Sequence, residues 1–360
     1  MTTADKPTDP RIASAIGHWG PRFVTNGVSL TDFEEVTAAI ASWNDWCRAW
    51  SDRAAVHEDM GRKALAARQF LSAGDHLQRA GVYYHFGKFL FVQDPTQMKA
   101  AHMKAVECRR LALPHLRPAG ERLEMYYEGK SLFGILRKPA GVARPPVLVF
   151  ACGLDSCKEE TDAYEQPFLA RGIATLAFDG PGQGEGEYDF AIRGDYEVAV
   201  KCVIDHIEAR RDLDATRIGI AGISLGGYYA PRAAAFDKRI KACLALGGPY
   251  DWGEAFESVP ELTKEAFRVR SKSVTLDDAR KKAATLTLKG VAQNITCPIY
   301  IMNGKLDRIV PPKDCERLAK EVKGPVVLNL VEGGNHIANN RAYCWRMQSA
   351  DWMAEQLKAG

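Results

Sequence analysis

The stretch GISLGGYY, residues 222–229, decides the fold. It follows the short apolar run RIGIAGI (217–223) and precedes a helix-forming run over 225–236, and it sets Ser224 between Gly222 and Gly226. A strand, a G-x-S-x-G turn and a helix in succession are the context of a nucleophile elbow. There the serine occupies a strained turn that aims its Oγ out of the sheet. Side chains two residues to either side would collide with the neighbouring strand and helix, so both positions want glycine. The helix starting near Leu225 leaves the Leu225 backbone N–H unpaired and able to face a developing oxyanion. The same five residues could also be a glycine-rich turn with an incidental serine, so the rest of the chain has to decide.

A serine hydroxyl is a weak nucleophile unless a base takes its proton and a third group orients that base. In this architecture the chain order is serine, acid, histidine. The run PIYIMNGKLDRIVP (298–311) supplies Asp307 in the loop after a later strand. The run VVLNLVEGGNHIANN (326–340) supplies His336 after the last strand, behind Gly333-Gly334. His85 and His206 fall within predicted helices. Asp251, in GGPYDW, competes for the role of the acid, but the strand–loop setting of Asp307 is the fuller match. The second oxyanion donor is expected in CGLDSCKEE (152–160), from the backbone of Leu154 or Asp155.

The surrounding chain fits this reading. PVLVFAC (146–152), IATLAFD (173–179), KACLALGG (241–248), PIYIMNG (298–304) and PVVLNLVEG (325–333) are short β-rich runs bounded by Gly, Pro or Asp. Helical stretches fall between most of them, at 160–171, 194–211, 225–236, 312–322 and 338–357. Continuous apolar strands alternating with helices predict a mostly parallel sheet covered on both faces. Residues 123–138 read as a hairpin turning at Gly129-Lys130. Residues 249–293 are too long for a simple crossover and predict an insertion of one or two helices over the C-terminal edge of the sheet.

The first 120 residues read as helical, giving a helical domain over 1–120 and a catalytic domain over 121–360. Thr31 and Glu34 fit a capping box. Behind it Phe33, Val36, Ile40, Trp43, Cys47 and Trp50 recur at steps of three and four, as on one buried helix face. Ala66, Gly74, Ala80 and Gly87 would let helices pack closely. Asp94-Pro95 marks a break before a further helix over 96–113.

Composition narrows the function classes. The 360 residues are 46% hydrophobic and 26% charged, with 48 Lys plus Arg against 45 Asp plus Glu, for a net charge of +3. No basic block supports nucleic-acid binding. No apolar run approaches the ~20 residues of a membrane span. The N-terminus has no secretory pattern, and nine cysteines without paired spacing predict free thiols in a reducing cytoplasm. A dinucleotide site in FDGPGQGEG (178–186) is excluded, because a G-x-G-x-x-G pattern would need glycine where Glu185 or Glu187 stands. No metal or organic cofactor is expected.

Together these motifs resemble the α/β-hydrolase superfamily. GLDSCKEE, GISLGGYY, FDGPGQGEG, LTKEAF (262–267) and NGKLDRIVP are similar to a branch that includes 2,6-dihydroxypseudooxynicotine hydrolase and the fermentation-respiration switch protein esterase. The resemblance implies a mostly parallel eight-stranded α/β-hydrolase fold with an N-terminal all-helical cap. It also implies a Ser224–Asp307–His336 triad that works through an acyl-enzyme on a carbon–carbon bond next to a ketone; the alternatives are a carboxylesterase on small-molecule esters and a non-catalytic ligand-binding member of the fold, which would usually lack one of the three residues. For the ketone chemistry it implies an auxiliary carboxylate within WGEAFESVPELTKE (252–265), with Glu257 the best match beside Glu254 and Glu261. The aromatic residues Trp43, Trp46, Trp50, Tyr83, Tyr84, Phe86 and Phe89 would suit a flat aromatic or polyketide-like substrate, with Tyr83 and Tyr84 as candidate contacts. More often such residues serve simply as helix-packing core. A homodimer is compatible with a capped hydrolase of this kind.

Overall fold

A computed structural model describes residues 9–359. The chain divides into two units. The first holds the residues up to Glu121 together with Glu159–Ala163, and the second holds Arg122–Lys158 and Tyr164 onward. The helical stretch of the sequence is thus a unit, with a five-residue segment from far downstream added to it.

The helical unit contains α1 (Pro10–Thr25), α2 (Leu30–Ala39), α3 (Trp46–Ala66), α4 (Phe70–Lys88) and α5 (Pro95–Ala112). Two expectations are corrected here. The cap of α2 is Ser29, whose side chain accepts the Asp32 N–H at 3.1 Å, and not the predicted Thr31. The apolar series from Phe33 to Trp50 does not lie on one helix. Ile40 turns extended, Ser42 caps a short 3-10 turn at Trp43–Asp45, and α3 starts afresh at Trp46. Val36, Ile40, Trp43, Cys47 and Trp50 are nevertheless all buried, so the spacing recorded burial and not helix continuity. Phe23 stacks on Phe86 with ring centroids 3.8 Å apart, and Trp43 on Trp46 at 4.7 Å. Gly87 permits a close helix crossing, since a Cβ there would lie 3.2 Å from the Cys47 carbonyl oxygen.

The second unit is built on a sheet. Its elements run β1 (Gly120–Tyr127), β2 (Lys130–Arg137), β3 (Val147–Ala151), α6 (Asp162–Leu169), β4 (Ala174–Asp179), α7 (Gly186–Asp189) and α8 (Glu197–Glu208). Then come β5 (Ile218–Ile223), α9 (Gly226–Phe236) and β6 (Ile240–Leu246). The insertion follows as α10 (Trp252–Ala255), α11 (Glu261–Arg270) and α12 (Leu276–Ala283), one short helix more than expected. The chain closes with β7 (Ile299–Gly304), α13 (Pro312–Glu321), β8 (Val326–Val331) and α14 (Arg346–Leu357).

The eight strands lie in the order β1-β2-β4-β3-β5-β6-β7-β8. β2 is antiparallel to β4, and the pairings from β4 through β8 are parallel. The inner strands β3, β4, β5 and β7 are buried at every position, as a sheet covered on both faces requires. From β3 the chain steps to β4 on one side, and β5 lies on the other. Open α/β sheets bind their ligands at such a reversal, which here falls at the carboxyl ends of β3 and β5. Among the described residues none of the nine cysteines is in a disulfide. Among the described residues no helix is long and apolar enough to cross a membrane.

Candidate active site

Ser224 sits directly after β5 with φ +54°, in the left-handed region that a non-glycine residue enters only under constraint. The glycines two residues away explain how the turn is held. A Cβ on Gly222 would lie 1.9 Å from the Gly226 carbonyl oxygen and 3.1 Å from Ala230 Cβ in α9. A Cβ on Gly226 would lie 2.3 Å from the Ala151 carbonyl oxygen in β3. The elbow is therefore wedged between its own helix and the neighbouring strand. The Ser224 N–H donates to the Leu246 carbonyl at 2.8 Å and fixes the turn against β6.

Three strand ends converge on this serine. His336, beyond β8, places Nε2 2.9 Å from Ser224 Oγ and Nδ1 2.7 Å from Asp307 Oδ2, beyond β7. A carboxylate only accepts, so the ring proton belongs on Nδ1, and Nε2 is left to accept from the serine. The Asp307 side chain is fully buried and that of His336 nearly so. The other Asp307 oxygen accepts the Ile309 and Val310 N–H groups at 2.7 and 3.1 Å, so the carboxylate has its partners without water. Asp251 is not part of this chain; its carboxylate caps α10 by accepting the Glu254 N–H at 3.0 Å.

Asn303, which the sequence reading did not single out, ties the acid and histidine loops together. Its Oδ1 accepts from Gly304 N at 2.8 Å and Ile337 N at 3.3 Å, and its Nδ2 donates to the Val310 carbonyl at 3.0 Å. Ile337 and Ala338, next to the histidine, both have positive φ. The only advance signal was an amide side chain at the end of β7, beside a glycine.

Leu154 and Asp155 are both buried in the loop after β3. Among the described residues the backbone N–H groups of Leu225 and Leu154 have no protein acceptor. Gly153 brings this loop against the elbow, since a Cβ there would lie 2.8 Å from the Ile223 carbonyl oxygen and 3.0 Å from Ser224 Cβ.

The remaining predicted residues each have partners of their own. Glu257 is an exposed carboxylate hydrogen-bonded to Arg280, which lowers its pKa. A group held ionised in this way is poorly suited to donate a proton at neutral pH. Tyr83 and Tyr84 are buried within the helical unit, where their hydroxyls donate to Asp32 at 2.6 Å and Glu58 at 2.8 Å. Burial pushes the Asp32 carboxyl up, but hydrogen bonds from Tyr83, His57 and Arg53 outweigh it and hold the carboxyl at about 2. These tyrosines serve as packed, hydrogen-bonded core because their polar tips have partners inside the unit. The FDGPGQGEG turn is also internally occupied. Asp179 accepts from Lys158 N at 2.9 Å, Lys158 Nζ at 2.6 Å and Glu185 N at 2.9 Å, and a Cβ on Gly184 would strike its carboxylate.

Comparison with known proteins agrees with this architecture. Residues 22–288 match the family described as Esterase FrsA-like. Over its whole length the chain is 33% identical to 2,6-dihydropseudooxynicotine hydrolase of Paenarthrobacter nicotinovorans, covering 96% of that protein. The crystal structure of 2,6-dihydroxy-pseudo-oxynicotine hydrolase superposes with a TM-score of 0.86 at 32% identity, covering 94% of this chain and 95% of the other. Hydrolase pyiE of Pyricularia grisea is 33% identical over 59% of this chain and 50% of its own length. The structure named AbyA5 Wildtype shares the fold, with a TM-score of 0.78 at 19% identity over 98% of this chain and 95% of that one. The chain is a hydrolase with the α/β-hydrolase fold and belongs to the FrsA-like esterase family.

Proposed function

We propose that the chain is a serine hydrolase that works through an acyl-enzyme and cleaves a carbon–carbon bond next to a ketone in an aromatic or polyketide-like small molecule. The observation that carries the serine chemistry is the continuous Ser224–His336–Asp307 hydrogen-bond chain beside two unpaired backbone N–H groups. Ser224 Oγ attacks the carbonyl carbon as His336 Nε2 takes its proton. Asp307 holds the imidazolium in place, and the oxyanion lies between the N–H groups of Leu225 and Leu154. When the tetrahedral intermediate collapses, the bond to the leaving carbon breaks and His336 returns its proton to that carbon. Water, activated by the same histidine, then frees the acyl group from Ser224.

A carbanion leaves only if its charge is delocalised, which points to a phenolic ring or an enolate as the leaving group. The preference for a ketone rests on full-length similarity to the Paenarthrobacter hydrolase, which spans both units of this chain. The second reading is a carboxylesterase. It is favoured by the family's own description and by the placement of Glu257, which leaves no added acid at that position for carbon protonation.

A matched pair tests the choice: an aryl ketone with a hydroxylated ring and the corresponding aryl ester, with products identified by mass and Ser224→Ala as control. Serine-dependent ketone cleavage is the expected result. Ester cleavage alone would replace the first reading with the second. Turnover that survives Ser224→Ala would overturn both.

A further inference from the structure

The peptide unit that carries the Leu154 N–H is Gly153–Leu154, and both peptide units flanking it are clamped. On one side the Cys152 carbonyl accepts from Gln183 Nε2 at 3.0 Å, and the Gly153 N–H donates to Ser156 Oγ at 2.5 Å. Gln183 is itself fixed by Tyr196, whose hydroxyl donates to its Oε1 at 2.7 Å. On the other side the Leu154 carbonyl accepts from Arg270 at 2.7 Å, across 116 residues of sequence. Arg270 is the last residue of α11 in the insertion and is 2% exposed. Glu187, also buried, accepts from its Nε at 3.1 Å, so the guanidinium is neutralised where it stands. The backbone at Arg270 is anchored as well, since its carbonyl accepts the Ile192 N–H at 3.0 Å. A buried guanidinium with a fork of donors can hold a carboxylate and a carbonyl at once.

The geometry points to Arg270 as a positioning residue for the oxyanion hole: with Glu187 it fixes the Leu154 carbonyl and so aims the Leu154 N–H at the oxyanion. This rests on the serine reading above and deepens it. The insertion would then set the rate of the chemical step through the loop after β3, in addition to whatever it contributes to the substrate pocket. Lysine could not replace Arg270 fully, because an ammonium lacks the planar fork that serves both acceptors in this arrangement.

The test uses the full chain and three variants: Arg270→Lys, Arg270→Met, and Arg270→Met paired with Glu187→Gln, which removes both buried charges. Three quantities are read: kcat and KM on whichever substrate the wild type turns over, affinity for an aryl trifluoromethyl ketone that forms a hemiketal on Ser224, and Tm. We expect kcat to fall by roughly 100-fold in both Met variants, as a misplaced group or oxyanion donor costs. KM should stay near the wild-type value, trifluoromethyl ketone affinity should fall in step with kcat, and Arg270→Lys should be intermediate. Restoring Tm in the double variant should not restore kcat. Recovery of both together, or a loss confined to KM with unchanged trifluoromethyl ketone affinity, would overturn the positioning role. Should Arg270→Met fail to fold, the double and Lys variants carry the same readings. A wild type whose turnover is indifferent to Ser224→Ala sinks the serine reading itself. Ser224-dependent turnover that ignores Arg270 sinks only this inference.

Discussion

Two buried carboxylates in two parts of the molecule have opposite surroundings. In the helical unit, Glu160 accepts from Arg22 at 2.7 and 2.6 Å and from Asn26 at 2.7 Å, and His85 lies 3.0 Å away. In the sheet unit, Asp307 accepts from two backbone N–H groups and passes its remaining interaction on to His336 and Ser224, beside N–H groups that have no protein partner. The first arrangement is saturated and the second is left open by design of its neighbours. Saturated polar groups hold a fold together, because removing one partner strands the other. Open donors beside a strained serine add little to stability and are available to a transition state.

Removing the centre of the open arrangement should give the largest effect. Ser224→Ala is expected to lower kcat by roughly 10⁴-fold or more with Tm unchanged, and Asp307→Asn by a comparable ~10⁴-fold. Asp251→Asn should stay within about twofold of wild type, since Asp251 only caps a helix turn. If Asp251→Asn were inactive and Asp307→Asn active, the acid would have to be reassigned.

Next comes the wedge that sustains the strain. Gly222→Ala places a methyl group against the elbow's own backbone and should cost about 4 kcal/mol or leave the chain insoluble, as measured by denaturant unfolding. A soluble, active Gly222→Ala protein would show that the turn relaxes more easily than its geometry indicates.

The saturated arrangement comes third. Glu160→Gln leaves Arg22 buried without its anion and should cost about 3 kcal/mol. Burial pushes the Glu160 carboxyl up, but Arg22 and His85 outweigh it and hold it well below the ordinary glutamate value of 4.5. A carboxyl whose pKa is depressed on folding contributes stability that is present above the unfolded-state value and lost as pH falls below it. The wild type should therefore lose stability below about pH 5 more steeply than Glu160→Gln, and parallel pH–Tm curves would contradict this.

The smallest effect is expected from Glu257→Gln, which should leave both ketone and ester turnover within about twofold, because its exposed pairing with Arg280 is worth little. A selective loss of ketone cleavage would return Glu257 to the mechanism.

The elbow, the strands and the three residues joined in one hydrogen-bond chain, Ser224, His336 and Asp307, were legible because each leaves a local mark: a glycine pair, an apolar run, an acid or histidine at a strand exit. The break between α2 and α3 was not, because Ile40 and Trp43 keep a helical spacing while the backbone between them does not. The cap was misplaced by two residues because Ser29-x-x-Asp32 and Thr31-x-x-Glu34 carry the same kind of pattern, and packing chose the earlier one. Arg270 and Gln183 left no signal that a local reading could weigh, and Asn303 left only an amide side chain at a strand end beside a glycine. Their acceptors are fixed only when distant loops meet, as in the long reach from Arg270 to Leu154.

The short segment Glu159–Ala163 has a consequence for inheritance. Its buried acid, Glu160, completes a helical body whose matching members, Arg22 and His85, are encoded more than seventy residues upstream. A recombination event at the apparent border near residue 121 would carry the bases away without their acid. Exchange of the N-terminal portion between relatives is therefore viable only where the recipient already supplies a matching glutamate just after β3, so the two stretches of gene have to evolve as a linked pair.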